Sequence, residues 1–353
     1  MKTVSILTSY GGQLFDPEKP CQGYGTELAI LETFSRLGAD KEYNISIYIS
    51  KPKGYQVNYN NINWRSNDDW EEDSNNNPPN IVIALRYLNT FLYYNIPRES
   101  KIIYYLHDPY YLPQFQGLML PESLGKNVDP IIDQYVTVGY YQALERLQQW
   151  GLNMNKLTVI KNGITLEKDF DPMTTNRKPL SFVYCSCPTR GLWTLLEKWN
   201  KIKGYFPSAT LTIYYTKTDE TIQKFKPYEN DKSINYVGKV DQKTLFTALK
   251  TTDYWLYWCN NFESCCTLAF EMAYYGPIAI CNQTGGLKEN VKEGLITCPP
   301  YAEEFWDHAI QFIQKLENDP GEKMRVRRAQ FEYSKTQTWD HRIPQWIRLF
   351  EKL

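Results

Sequence analysis

Apolar residues along the chain fall into two alternating patterns, short β-branched or aromatic runs and longer stretches with helical spacing. Thr3–Ser9 predicts a first strand, followed by a glycine-containing loop. Leu28, Leu31, Phe34, Ser35 and Leu37 then recur with a period of about 3.6 and predict a helix over Thr26–Leu37. Ile45–Ile49, Ile81–Leu85, Ile102–Leu106, Tyr135–Val138 and Leu157–Ile160 read as further strands, and the acidic, Pro-terminated stretch Asn67–Pro79 as an exposed loop. The polar segment Glu167–Pro179 reads as a linker, after which the rhythm restarts. Strands are expected at Ser181–Cys185, Thr210–Tyr215, Ile234–Val237, Tyr254–Trp258 and Ile278–Ile280. Helices are expected at Leu192–Lys201, Gln242–Lys250 and Cys266–Tyr275, and the stretch Tyr301–Leu353 is mostly helical. Strands alternating with helices predict an α/β protein with parallel sheets, built as two units with a ligand cleft between them at the carboxyl ends of the strands. The expected division is 1–168, 169–330 and a closing segment 331–353.

Composition narrows the reading. A chain of 353 residues exceeds the size at which a single core usually keeps growing, in keeping with two domains. A net charge of −1 argues against a nucleic-acid binder, which would carry a basic face or tail. The 28 tyrosines and 10 tryptophans supply amphipathic rings that suit sugar faces and interfaces, so a homodimer is a possibility. The opening residues MKTVSILTSY read as a strand, with no apolar signal segment, and no run of 18 apolar residues predicts a membrane span. Eight cysteines without metal-ligand spacing read as buried thiols in a reducing compartment, with the cytoplasm as the expected location.

Several residues could carry chemistry. Gly11-Gly12 and Gly23-Tyr-Gly25 lie between the first strand and the first helix, where glycines allow close approach of a ligand, yet they fit neither dinucleotide nor P-loop spacing. A plain turn explains them equally well. His107, one of three histidines, ends a strand at the edge where α/β sites form; a surface histidine at a turn is the alternative. Asp169-x-Asp171 lies beside Pro172 in the linker and reads as solvated acid rather than a metal pair. Arg190-Gly191 opens a helix whose amino end could meet a phosphate, a surface arginine being the alternative.

The stretch NNFESCCTLAFEMAYYGPIAICNQTGGLKE is the most specific. Ser264 is placed to cap a helix starting near Cys266, with Glu263 just before it and Glu271 within it. Glu271 is flanked by Leu268, Ala269, Phe270, Met272 and Ala273, and a carboxylate in such an apolar helix needs partners. Two carboxylates straddling a helix amino end suit a ligand shaped sugar–diphosphate–ribose.

With these residues the chain resembles the retaining, GT-B fold glycosyltransferases of family 4 over nearly its whole length. The resemblance rests on the Glu-x7-Glu motif Glu263…Glu271, continued by EMAYYGP, with support from VIKNGI (Val159–Ile164), RGLWTLL (Arg190–Leu196) and the closing TWDHRIPQWIRLFEKL. It implies two Rossmann-like domains facing a cleft, acceptor-binding first and donor-binding second, with terminal helices crossing back to the first. It implies that Glu271 holds the ribose hydroxyls and that Glu263 meets the transferred sugar. Cys266, Thr267 and Leu268 would hold the distal phosphate through their backbone, and Arg190 would neutralise the leaving diphosphate. His107 would lie near the sugar, and Gly23 and Gly25 would face the diphosphate and acceptor. Cys185-Ser186 replaces the family's Gly-Arg, so one phosphate cation is missing and Lys239 is a candidate to help. No cofactor is implied beyond the nucleotide-sugar co-substrate, and a divalent metal is dispensable because helix amino ends and Arg190 supply positive field.

Asp241 could accept from guanine N1–H and N2–H2, so the sequence leans towards GDP-mannose over UDP-sugars. A non-catalytic nucleotide-sugar-binding protein of the same fold is the competing reading. The acceptor, a glycan or glycoprotein, is marked at most by Tyr110, Tyr111 and Phe115.

Overall fold

The computed structural model of the chain describes residues 1–8, 17, 25–87, 90–108, 114–115, 118–119, 129–144, 152–298 and 302–353. Two compact units emerge, Met1–Gly163 with Trp339–Leu353, and Ile164–Thr338. The chain therefore passes between units after Gly163 and again after Thr338, where divisions at 168/169 and 330/331 were expected.

In the first unit, strands β1 (Lys2–Leu7), β2 (Tyr43–Ile49), β3 (Gln56–Tyr59), β4 (Ile62–Ser66), β5 (Ile81–Leu85) and β6 (Lys101–Leu106) are followed by a small hairpin, β7 (Gln114–Phe115) and β8 (Leu118–Met119). Strands β9 (Gln134–Thr137) and β10 (Leu157–Val159) complete it. The main sheet runs β10-β9-β6-β5-β1-β2-β4-β3, parallel except for β3, which is antiparallel to β4. The β3–β4 pair was not anticipated. Its two turn residues, Asn60 and Asn61, both take positive φ (51° and 60°), the backbone that a tight hairpin requires and that Asn tolerates.

The stretch Asn67–Pro79 corrects the sequence expectation of an exposed loop. It forms a 3-10 turn, Asn67–Asp69, and then a helix, Trp70–Asn76. Trp70 is the reason: it is buried, meets Tyr48 edge-on at 5.0 Å and Tyr94 at 6.4 Å, and donates its indole N–H to Asn95 O at 3.0 Å. One anchoring aromatic residue outweighs the polar composition around it. Ser66 Oγ caps the turn by accepting from Asp68 N at 3.1 Å. Ser66→Ala is accordingly expected to destabilise the first unit by about 1 kcal/mol. An unchanged chemical-denaturation midpoint for that unit would show that the cap contributes nothing.

The helix Trp339–Lys352 returns to the first unit because its apolar face fits there. Trp346 packs against Phe34 of the Gly25–Ala39 helix at 5.5 Å and against Tyr105 at 4.9 Å, and Phe350 packs against Tyr43 at 5.6 Å.

The second unit holds β11 (Ser181–Tyr184), β12 (Thr210–Ile213), β13 (Ile234–Tyr236), β14 (Tyr254–Tyr257), β15 (Ile278–Asn282) and β16 (Leu295–Ile296). They form an all-parallel sheet in the order β13-β12-β11-β14-β15-β16. A short helix, Asp219–Phe225, which the sequence pattern did not reveal, follows β12. The segment expected as a linker is tied to this unit at a few points, while Asp169 and most of its other polar residues stay exposed as expected. Arg177 donates to the carbonyls of Tyr275, Thr252 and Leu249, Tyr274 donates to Glu167 O at 2.8 Å, and Phe170 packs against Tyr274 and Tyr275. Arg177 serves open carbonyls at helix ends, which the sequence pattern cannot distinguish from hydration.

Candidate functional site

In the second unit β11 is flanked by β12, its successor, and by β14, which comes much later in the chain. That reversal of strand order lies at the carboxyl ends of β11 and β14, the place where open α/β sheets bind ligands. The segments leaving those two strands carry Cys185–Arg190 and Trp258–Cys266.

Arg190 sits in a 3-10 turn, Pro188–Arg190, ahead of the helix Leu192–Tyr205, rather than on that helix. Gly191 makes this possible. It takes φ 121°, and a Cβ there would lie 1.8 Å from Trp258 O. The Arg190 guanidinium donates to Glu263 Oε1 at 2.8 Å while nearly half its side chain stays exposed.

Glu263 is buried, and its Oε1 also accepts the Tyr257 phenol at 2.8 Å and the Cys259 thiol at 3.7 Å. Desolvation first, and the Glu263 charge second, hold the phenol well above its usual range and push the thiol up to about 12, so both remain protonated donors. The Gly-Gly turn fixes the backbone of Glu263. Gly286 N donates to Glu263 O at 2.6 Å, and a Cβ on Gly285 would stand 2.2 Å from that oxygen.

The helix Thr267–Tyr275 begins differently from expectation. Its N-cap is Cys266 in the left-handed conformation, φ 56°, whose side chain makes no capping hydrogen bond. Ser264, expected as the cap, has its hydroxyl buried with no hydrogen-bond partner. The left-handed Cys266 redirects the chain between Ser264 and the first turn, so a cap read from spacing alone fails. Cys266, Thr267 and Leu268 form this entry and are half-buried. An open helix amino end attracts an anion.

Glu271 lies one turn further along this helix, half-buried, and its carboxyl is pushed up to about 7 by desolvation, with a hydrogen bond from Gln242 opposing the rise. Cys185 lies close enough for the Glu271 charge to add to the desolvation that raises its thiol. Ser186 Oγ stands 3.3 Å from the Tyr257 phenol. Cys185 and Ser186 thus bring neutral groups to this end of β11, Cys185 near Glu271 and Ser186 at the Tyr257 phenol.

Asp241 caps the helix Gln242–Leu249: its two oxygens accept from Thr244 N and Thr244 Oγ1, each at 2.8 Å. Lys239 is exposed in the preceding loop. The structure therefore groups Arg190, Glu263, Cys266, Thr267, Leu268 and Glu271 about one helix start, with Asp241 engaged in a structural cap.

The first unit carries a second cluster. His107 follows β6 as expected, but it is buried, edge-on to Tyr105 with ring centres 4.3 Å apart, and its Nε2 is buried with no partner. Burial, and then the Arg86 guanidinium, push its pKa down to about 3, so the imidazole is neutral. Sequence reasoning missed Arg86, which ends β5 with φ 69°, an uncommon conformation for a residue with a side chain. Arg86 grips Asp108 through two bonds, 2.7 and 3.1 Å, and reaches the buried Glu27 at 3.4 Å. Gln142 donates to Asp108 O at 2.7 Å, fixing the turn after His107. The one sequence signal for Arg86 was its place just after the apolar run Ile81–Leu85. Gly25 opens the first helix with open space beside its Cα, whereas Gly23, Tyr110 and Tyr111 lie outside the described residues, as does the side chain of Phe115.

No protein-family model and no curated protein matches the chain. Solved structures do. Sucrose-phosphate synthase of Thermosynechococcus elongatus aligns at 12% identity over 100% of this chain and 99% of that one, with a TM-score of 0.73. HepE of Anabaena in complex with UDP-glucose aligns at 12% over 100% of both chains, with a TM-score of 0.69. The catalytic domain of starch synthase IV from Arabidopsis thaliana, bound to ADP and acarbose, aligns at 12% over 99% of each chain, with a TM-score of 0.68. The chain therefore has the α/β fold, with parallel sheets, of GT-B glycosyltransferases. Among the described residues no helix is long and apolar enough to cross a membrane.

Proposed function

We propose that this chain is a retaining glycosyltransferase that moves a hexose from a nucleoside-diphosphate sugar to a hydroxyl of a glycan or glycoconjugate. The observation that carries the reading is the amino end of the Thr267–Tyr275 helix, which the Cys266 side chain does not cap, flanked by Glu263 on its Arg190 support and by Glu271 on the helix itself. An anion site between two carboxylates suits a diphosphate with a hydroxyl-bearing ring at either end.

In this reading the first-turn backbone at Cys266, Thr267 and Leu268 cradles the distal phosphate, with Lys239 as a second cation. Glu271 accepts from the ribose hydroxyls, and Glu263 accepts from the transferred sugar. Arg190, half-exposed, keeps donors free for the charge that grows on the leaving diphosphate. The leaving phosphate takes the proton of the acceptor hydroxyl on the same face of the sugar, so configuration is retained and the protein mainly positions its substrates. Arg190 and the helix end supply the positive field that a divalent metal would otherwise provide. His107, neutral and with an unsatisfied Nε2, serves as a hydrogen-bonding group to a sugar hydroxyl rather than as a cation. The seven described cysteines are free thiols, in keeping with a reducing compartment such as the cytoplasm.

A UDP- or ADP-sugar is the second reading for the donor, and a specific observation favours it. Guanine recognition was argued from Asp241, whose oxygens both hold Thr244. HepE and starch synthase IV, which share the fold, hold UDP-glucose and ADP respectively. Calorimetric titration with UDP-glucose, UDP-N-acetylglucosamine and GDP-mannose is expected to show binding of a uridine donor over GDP-mannose. Tight GDP-mannose binding alone would return the choice to guanine. Binding without release of nucleoside diphosphate in the presence of glycan acceptors would identify a non-catalytic sugar-nucleotide receptor instead.

A further inference from the structure

We infer that Tyr257 is a positioning residue that reserves one oxygen of Glu263 for a single hydroxyl of the transferred sugar. The inference rests on the glycosyltransferase reading above and deepens it. Arg190 and Tyr257 both donate to Oε1 of Glu263, and the Cys259 thiol, whose one proton also has Asn261 O at 3.2 Å, stands 3.7 Å from the same oxygen. Among the described residues none reaches Oε2, and Oε2 is not one of the sealed, partnerless polar atoms of the core. One oxygen is saturated by the protein, and the other stays open with its direction fixed.

Tyr257 is the rigid member of the trio. It is the last residue of β14, in register with Cys281 of β15, and its side chain is fully buried against Trp255, 4.8 Å away, and Tyr184, 6.0 Å away. With its proton given to Glu263, the phenol oxygen takes the Ser186 hydroxyl at 3.3 Å, which ties the carboxylate to the segment leaving β11. Arg190 is half-exposed, and Cys259 is a long, weak donor at 3.7 Å, so neither fixes the carboxylate plane as the phenol does. A carboxylate with both oxygens open can accept from two neighbouring hydroxyls. Glu263, with one, offers its acceptor sites from a single fixed direction.

Tyr257→Phe removes one oxygen atom and keeps the ring packing. The nucleotide alone never meets Glu263 in this arrangement, so the test compares UDP with UDP-glucose by calorimetry, or GDP with GDP-mannose should the earlier titration select that donor. The expected result is unchanged affinity for the nucleoside diphosphate with about a ten-fold loss for the nucleotide sugar and a lower kcat for transfer. Equal losses for both ligands would reduce Tyr257 to a structural residue, and no loss for either would remove it from the site; both overturn the inference. Should the variant melt early, Ser186→Ala takes its place and is expected to give a smaller loss confined to the sugar nucleotide; equal or absent losses there overturn the inference in the same way. A wild-type protein that binds neither ligand refutes the glycosyltransferase reading itself, a result separate from any difference between variants.

Discussion

Glu263→Ala is expected to lower kcat/KM for sugar transfer by about 10²–10³-fold, on the scale of losing a fixed hydrogen-bonding group at a reacting centre. Three effects add up. The open Oε2 proposed to accept from the transferred sugar disappears. The buried Tyr257 phenol loses the acceptor 2.8 Å away, an unsatisfied group that costs about 1–3 kcal/mol of stability. Arg190 loses the partner that aims it, because no other carboxylate holds its guanidinium among the described residues. Glu263→Gln separates these effects. Its carbonyl oxygen accepts from Tyr257 and restores most of the melting temperature, but the uncharged amide does not hold Arg190 as an ion pair, so activity stays low. Steady-state kinetics beside thermal denaturation checks both statements, and unchanged turnover in the Ala variant would remove Glu263 from the reaction.

Glu271→Gln is expected to act in opposite directions on stability and on binding. Desolvation holds the Glu271 carboxyl at about 7, above the ordinary glutamate value near 4.3 in an unfolded chain. The folded state therefore keeps a proton that the unfolded state releases between those two values. Stability from this group is fully present below about pH 4.3 and is lost as pH rises through about 7, leaving a penalty of about 3–4 kcal/mol at higher pH. Glu271→Gln, permanently neutral, is expected to melt several degrees higher than wild type at about pH 8 and to differ little at about pH 5. Binding runs the other way. Only the ionised carboxylate accepts from both ribose hydroxyls, so wild-type donor affinity is expected to strengthen as pH rises through about 7. In the Gln variant that step disappears, and the Kd at about pH 8 weakens about 10–100-fold. Calorimetry across this pH range decides it. A wild-type affinity that is flat with pH would exclude Glu271 from the ribose site. Such a trade, in which a group that costs stability serves the ligand, is common at binding sites.

Much of the architecture was legible along the chain because most strands of the two sheets are short apolar runs bounded by polar residues. Strand β5 falls at Ile81–Leu85 as its periodicity indicates, and most other strands shift by a residue or two. Among the features that escaped, three show why. The β3–β4 hairpin depends on two asparagines in positive φ. The Trp70–Asn76 helix depends on one buried indole within an acidic run. The supposed linker depends on Arg177 reaching carbonyls 72 to 98 positions away. In each case the deciding contact is distant in sequence or conformational, and local composition does not record it.

The same division holds at the candidate site. By itself the sequence determined the alternating α/β order, the two carboxylates eight positions apart around an apolar helix, the Gly-Gly turn behind them and the histidine at a strand end. These are local patterns, and spacing along one chain preserves them. Only the tertiary structure decided that Cys266 turns left-handed and makes no side-chain cap, that Ser264 is no cap, and that Asp241 is one. It also brought Tyr257 and Arg190 onto the same oxygen of Glu263, and gathered Arg86, Asp108 and Glu27 beside His107. The physical reason is that hydrogen bonds and burial act through space: a carboxylate's open oxygen or an imidazole's lost charge is set by neighbours that different strands of the sheet deliver.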